Sequence, residues 1–135
     1  MEFSDVIKNR YSCKKFSSEQ IGKDKLDAIL EAGRVAPTAK NLQEQHIYVV
    51  QSESALETID KLTPCRYNAP TVLIVAYNKN NVFTYLGDKR NSGIEDATIV
   101  ATHLMLAAYN EGVDSCWINF FNPDELAKAF NLPED

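Results

Sequence analysis

The 135-residue sequence contains no long hydrophobic run. Its most apolar stretches, such as TVLIVAY, are far too short to cross a bilayer as a helix, which takes about 20 apolar residues. The first ten residues, MEFSDVIKNR, are too polar to be a secretory signal peptide. We therefore expect a soluble protein that has no membrane partner.

Cysteine is scarce, with three widely separated residues: Cys13, Cys65 and Cys116. An odd number of cysteines without a secretory signal does not predict a disulfide framework, and no Cys or His spacing matches a metal site. The sequence therefore predicts a cytoplasmic protein without a bound metal.

Basic residues are outnumbered, with 14 Lys and Arg against 19 Asp and Glu, and the formal net charge is -5. This balance argues against a broad attraction to nucleic acid or to an acidic membrane surface. Stretches rich in Pro, Gly or Ser are also absent, so no linker is indicated. We expect residues 1–135 to form a single domain.

Helical and β-prone segments alternate along the chain. Helical spacing of apolar residues occurs in FSDVIKNR, DKLDAILEAGRVAP, ESALETIDKL, IEDATIVATHLMLAAYNEG and PDELAKAF. The β-prone runs are HIYVV, TVLIVAY and VDSCWINFF. Near-continuous apolarity in the first two runs indicates a sheet that is covered on both faces, so the pattern predicts a mixed α/β domain.

A local basic cluster, NRYSCKKF, stands out in this acidic chain. Arg10, Ser12 and Lys14 combine positive charge, a hydroxyl and backbone N–H groups, which is what a phosphate group needs. The alternative is a solvated basic turn whose cations complement the negative end of the preceding helix.

A second polar segment, APTAKNLQ, leads directly into the first β-prone run. Thr38, Asn41 and Gln43 offer donors and acceptors for the edge of a heteroaromatic ring, at a strand end where α/β folds bind ligands. Alternatively, these are ordinary turn-forming residues.

Three blocks together resemble the nitroreductase family, whose members are flavin mononucleotide (FMN) enzymes that oxidise NADH or NADPH. The blocks are RYSCK, APTAKNLQ and, after a helix rich in small residues, GVDSCWINFF. The similarity runs over essentially the whole chain. It implies an α+β sandwich with a mixed sheet covered by helices, in an intertwined homodimer with one FMN in each of two interfacial sites.

The resemblance also implies roles for individual residues in the first two blocks. Arg10 and Ser12 would hold the phosphate and ribityl end of FMN, while Lys14 would lie against the polar edge of the isoalloxazine ring. The second block would approach the flavin across the dimer interface through three residues: Pro37, Thr38 and Asn41. Lys15 lies outside the motif and is expected to be solvated.

In the third block, Cys116, Trp117 and Ile118 match the segment whose backbone passes beside the flavin ring. For its side chain, we interpret Cys116 as a small buried hydrophobic residue in a strand, and Trp117 as a core or interface residue. No side chain is expected to act as an acid or base, because the flavin carries the chemistry.

The sequence departs from the family pattern at two points. Lys14 replaces the commoner arginine, which keeps the charge but loses the planar two-pronged geometry. Family members continue into another strand and a late basic residue that contacts the phosphate. The resemblance thus implies that the final strand is missing here and that the natural protein continues beyond Asp135.

The family chemistry passes electrons from NADH or NADPH through the flavin to a small-molecule acceptor such as a nitroaromatic or a quinone. Phe83, Tyr85 and Tyr67 either line the open flavin face or pack under a long polar loop. A competing hypothesis is a flavin-binding protein without efficient turnover, such as a store, a sensor or a subunit. A third is a phosphate-binding α/β domain unrelated to flavin.

Overall fold

The computed structural model describes residues 1–87 and 89–135. Within these residues the chain forms five α-helices, two β-strands and one short 3₁₀ turn. The helices are α1 (Phe3–Asn9), α2 (Lys23–Arg34), α3 (Glu53–Leu62), α4 (Gly93–Asn110) and α5 (Pro123–Ala129). The strands are β1 (Gln45–Val50) and β2 (Val72–Tyr77), and the 3₁₀ turn is Ala39–Asn41. All five predicted helices and the first two predicted strands are confirmed.

The two strands pair antiparallel, with Ile47 opposite Val75 and Tyr48 opposite Ile74. Because side chains alternate along a strand, Ile47 and Val75 face one side of the sheet and Tyr48 and Ile74 face the other. Each side packs against helices, so the predicted coverage of both sheet faces is confirmed. The fold belongs to the expected α+β class.

Two hydrophobic clusters fill the spaces on either side of the sheet. The cluster beneath α2 and α4 has as its buried members Ile29, Ala36, Val100, Leu104 and Ala108. The cluster beneath α3 and α5 contains the buried residues Val50, Ile59 and Ile74, with Leu126 and Phe130 packed against them.

Local chemistry sets several helix ends. The hydroxyl of Ser52 accepts a hydrogen bond from the backbone N–H of Ala55 at 3.3 Å and so caps α3. The side chain of Asn122 accepts from the N–H groups of Asp124 and Glu125, and Pro123 follows it, so the predicted start of α5 is confirmed. Gly112 has a φ of 74°, as expected just past the end of α4.

A glycine allows α2 and α4 to approach closely. A Cβ atom at Gly33 would lie 2.7 Å from Cδ2 of Leu104 and 3.2 Å from Cδ1 of Ile47. The close packing at Gly33 fixes the end of α2 against Leu104 of α4 and Ile47 of β1. It therefore also fixes the start of the polar segment that follows α2.

The third β-prone run, residues 113–121, does not form a strand. Ser115 makes a single parallel bridge to Ser12, and the N–H of Cys13 donates to the carbonyl oxygen of Ser115 at 2.9 Å. The expected mixed sheet is thus wrong for residues 1–87 and 89–135, whose sheet is antiparallel and two-stranded. A strand needs a hydrogen-bonded neighbour along its length, and this run contacts one at a single position.

None of the helices described above is both long enough and apolar enough to span a bilayer.

Candidate functional site

Arg10 lies at the end of α1, where its backbone N–H donates to the carbonyl oxygen of Val6 at 3.0 Å. The Nε atom of this side chain is shielded from solvent and has no hydrogen-bond partner among the described residues. Ser12 and Lys14, by contrast, are exposed. The basic cluster therefore combines one half-buried guanidinium with a hydroxyl and an ammonium group at the surface.

Cys13 is the one buried residue within the segment of residues 11–15. Cys13 points inward and is 7% exposed, so Ser12 and Lys14 on either side of it point outward. The hydroxyl of Tyr11 donates to Asp114 at 3.1 Å, and this bond raises the pKa of Tyr11 above its ordinary value. The hydrogen bond between Tyr11 and Asp114 and the bridge between Ser12 and Ser115 together join the first sequence block to the third.

Cys116, Trp117 and Ile118 follow directly after that bridge. Cys116 is half-buried and lies outside the strands, so the expectation of a buried strand residue was wrong. Trp117 is 41% exposed, and its Nε1 donates to Asn119 at 2.9 Å, so it is not a core residue of this chain. Both outcomes follow because residues 116–118 pair with no neighbouring strand in the described structure, so part of this segment stays open to solvent.

The second block forms the turn of residues 38–43, between α2 and β1. Lys40, Asn41 and Gln43 have φ angles of 55°, 54° and 54°, in the left-handed region that non-glycine residues rarely adopt. The Thr38 hydroxyl accepts from the Gln43 N–H at 3.0 Å, and the Thr38 carbonyl accepts from the Asn41 N–H at 2.9 Å. Thr38 is half-buried, whereas the Asn41 side chain is exposed. Pro37, just before the turn, is also exposed.

One residue that the sequence patterns did not single out contacts this turn. The carboxylate of Asp96, near the start of α4, accepts a hydrogen bond from the backbone N–H of Ala39 at 2.9 Å. The only sequence signal was a carboxylate on an otherwise apolar helix face.

In the part of the chain that the structure describes, no hydrogen bond joins residues 38–43 to residues 10–14. Hydrogen bonds among the described residues therefore join the first block to the third, and none joins the second block to the first.

The aromatic candidates do not form one cluster. The rings of Phe83 and Tyr85 meet edge to face at 5.3 Å, and both residues line a cavity of about 750 Å³. The Tyr85 hydroxyl donates to Glu95 at 2.5 Å, which raises the pKa of Tyr85. Tyr67 does not line this cavity; its carbonyl oxygen accepts from the N–H of Phe16 at 3.2 Å.

A larger open groove, of about 1700 Å³, lies between β2, α4 and the third block. Cys116, Trp117 and Ile118 line it, but no residue of the first two blocks that we named as a candidate does. The size of a cavity therefore does not mark the candidate site, which is defined by its charge and donors.

Comparison with known proteins gives an independent result. The model of the nitroreductase family matches residues 7–64 and 62–135. A solved nitroreductase family protein from Clostridium difficile 630 is 34% identical with a TM-score of 0.95, and the match covers 99% of this chain and 77% of that one.

Two further relatives extend the comparison. A Bacillus subtilis protein named as an NAD(P)H nitroreductase is 28% identical, over 96% of this chain and 82% of its own length. A solved nitroreductase with bound FMN from Bacteroides fragilis is 26% identical with a TM-score of 0.75, over 97% of this chain and 79% of that one. Because the family model matches nearly the whole chain and a solved member shares a third of its residues, the chain belongs to the nitroreductase family.

Proposed function

We propose that this protein is an FMN-dependent oxidoreductase that passes electrons from NADH or NADPH to a small acceptor such as a nitroaromatic or a quinone. Membership of the nitroreductase family supports the reaction class. The nicotinamide donor is suggested by the name of the Bacillus subtilis relative, and FMN by the cofactor bound to the Bacteroides fragilis neighbour.

The observation that carries the proposal is the unsatisfied Nε–H of Arg10. A buried donor without a partner is costly, and a hydrogen bond from a guanidinium to a phosphate oxygen is among the strongest in proteins. The exposed Ser12 hydroxyl, two residues away, supplies a further donor. The residues present therefore fit the phosphate end of FMN.

Each block has a defined part in the proposed site. Arg10 and Ser12 hold the phosphate and ribityl end, and Lys14 lies beside the polar edge of the ring, where its charge favours the reduced cofactor. The backbone of residues 116–118 passes beside the ring. Bound FMN supplies the hydride and electron chemistry, so the chain binds, orients and tunes the cofactor without a catalytic acid or base.

We further propose a homodimer in which the partner's second block completes each site. Within the described residues of one chain, no hydrogen bond joins residues 38–43 to the basic cluster, and this favours a site that the partner completes. Apolar side chains that one chain leaves exposed on α1 and α4 also favour it: Phe3, Ile7, Ile94 and Ile99. A cytoplasmic location is consistent with the three free cysteines.

A turnover assay tests the proposed activity. The FMN-loaded protein is mixed with NADH or NADPH and with a quinone or nitroaromatic acceptor, and oxidation of the nicotinamide is followed. We expect oxidation that depends on both FMN and the acceptor. FMN binding without oxidation of either nicotinamide would favour the flavin-binding protein without turnover, and a failure to bind FMN would favour the unrelated phosphate-binding domain.

A further inference from the structure

A buried carboxylate connects the second block to the largest helix. Asp96 is 6% exposed, and the neighbouring Ser92 is 2% exposed. One carboxylate oxygen of Asp96 accepts from the Ser92 hydroxyl at 2.6 Å, and the other accepts from the backbone N–H of Ala39 at 2.9 Å. Both oxygens are therefore engaged, and the second bond joins segments that are 57 positions apart in the sequence.

The turn that this carboxylate contacts has an unfavourable backbone. Lys40, Asn41 and Gln43 all have positive φ angles, where the Cβ atom of an L-residue crowds the neighbouring backbone. Asn tolerates this region, but Lys and Gln do so less readily. Such a conformation persists only when the surrounding structure holds it.

Few other hydrogen bonds join the turn to the rest of the described chain. The bonds from the Asn41 and Gln43 backbone N–H groups both go to Thr38, within the turn itself. The Gln43 side-chain amide reaches the carbonyl oxygen of Arg34 at 3.5 Å, which is long for a hydrogen bond. The short bond from Ala39 to a buried, charged acceptor is therefore the strongest hydrogen-bonded link between the described turn and the core.

We infer that Asp96 is a positioning residue for the cofactor site, which holds the turn of residues 38–43 in the shape that presents Asn41 to FMN. The inference rests on the proposed function, in which Asn41 contacts the flavin. Asp96 touches no cofactor atom in this scheme and acts only through the backbone at Ala39. A buried polar network of this kind specifies one conformation of the turn, whereas apolar packing alone would leave several.

Three variants distinguish a role of Asp96 in positioning the turn from a general effect on the stability of the protein. Asp96→Ala removes both bonds, whereas Asp96→Asn keeps an oxygen for the Ala39 N–H and can turn its NH₂ group toward Ser92. Ser52→Ala is the matched control, because it removes a hydrogen bond that caps α3, at the opposite end of β1 from the turn. Two quantities are measured for each variant well below its melting temperature: the exchange rates of the backbone amides of residues 39–43 in the FMN-free protein, and the FMN dissociation constant.

We expect Asp96→Ala to speed amide exchange in residues 39–43 and to raise the FMN dissociation constant, each by about tenfold, as loss of one hydrogen bond to a charged group predicts. In Asp96→Asn, the exchange rates and the FMN dissociation constant should both lie close to those of the unaltered protein. Ser52→Ala should leave both quantities unchanged. Unchanged exchange in Asp96→Ala would overturn the inference while leaving the proposed function standing. Faster exchange with unaltered FMN affinity, or equal losses in Ser52→Ala, would also overturn it.

The two proposals fail in different ways. If the unaltered protein binds no FMN, the proposed function fails, and the role of Asp96 in a cofactor site fails with it. In that case, faster amide exchange in Asp96→Ala would show only that the carboxylate holds the turn.

Discussion

Arg10 is the residue on which the proposed cofactor site depends most, because its Nε–H is buried without a partner in the described chain. Arg10→Ala should weaken FMN binding by about 1.5–3 kcal/mol, or roughly tenfold to a hundredfold, since it removes a charge-assisted contact to the phosphate. Lys15→Ala is the control, because Lys15 is an exposed cation one position beyond the motif.

Titration of FMN into the two FMN-free variants measures this difference. A similar loss in Arg10→Ala and Lys15→Ala would mean that the cluster attracts the cofactor only by its summed charge. Our assignment of the phosphate to Arg10 would then be incorrect.

At the residue scale, a site could be predicted from the sequence where the candidate groups lie close together in the chain, and that assignment stays a prediction. The Arg10, Ser12 and Lys14 pattern could be found because three neighbouring positions suffice to define it. Asp96 could not be found in this way, because its partner Ala39 comes close only after α2, the sheet and α4 have packed. Nothing in the local sequence indicates that pairing.

At the scale of elements, an ion pair fixes the connection that follows α3. The guanidinium of Arg66 donates two hydrogen bonds of 2.7 Å to the carboxylate of Asp60 and a third to the carbonyl oxygen of Ala69. The bond from Arg66 lowers the pKa of Asp60 below its ordinary value. The folded state therefore favours the charged form of this carboxylate.

This lowered pKa predicts how stability depends on pH. The contribution of Asp60 should be present above the ordinary carboxyl pKa near 4 and should be lost as the pH falls through the lower folded value. Because Asp60 is 46% exposed, we expect Asp60→Asn to cost about 1 kcal/mol or less at pH 7 and still less near pH 2.

Urea unfolding at the two pH values measures this change. Asp27→Asn is the control, because its pair with Lys23 is largely exposed on both sides and should contribute little at either pH. A cost for Asp60→Asn that is equal at pH 7 and pH 2 would contradict the linkage to Arg66.

Helices were predicted more completely than strands, and the reason is physical. The five helices show their apolar face, their caps or both within a single local segment, as at Asn122 and Pro123. A strand depends on a partner elsewhere in the chain. Residues 113–121 have the composition of a strand, but only Ser115 has a bridging partner in the described structure, so the prediction of a third strand failed.

At the scale of the whole molecule, the fold class could be predicted from the alternation of helical and β-prone segments, and the family from three blocks in order. The single domain over residues 1–135 and the homodimer stay predictions. One chain does not test whether the second block shares a site with the other two, because no hydrogen bond joins residues 38–43 to residues 10–14 in the described structure.

The homodimer predicts separable effects on assembly and on cofactor binding. Asn41→Ala should weaken FMN binding while leaving the dimer intact, since Asn41 lies on an exposed turn and the apolar contact area would come from α1 and α4. Sedimentation at low micromolar concentration, with and without FMN, measures the assembly. A stable monomer that carries FMN would be incompatible with a shared site.

The most direct test of the central proposal is an anaerobic addition of NADH, and separately of NADPH, to the protein loaded with FMN. The visible absorbance band of the oxidised flavin is then followed with time. We predict rapid loss of this band with at least one nicotinamide, and its return when a quinone or nitroaromatic acceptor is added. A band that keeps its full intensity with both nicotinamides would contradict the assignment of the chain as an oxidoreductase.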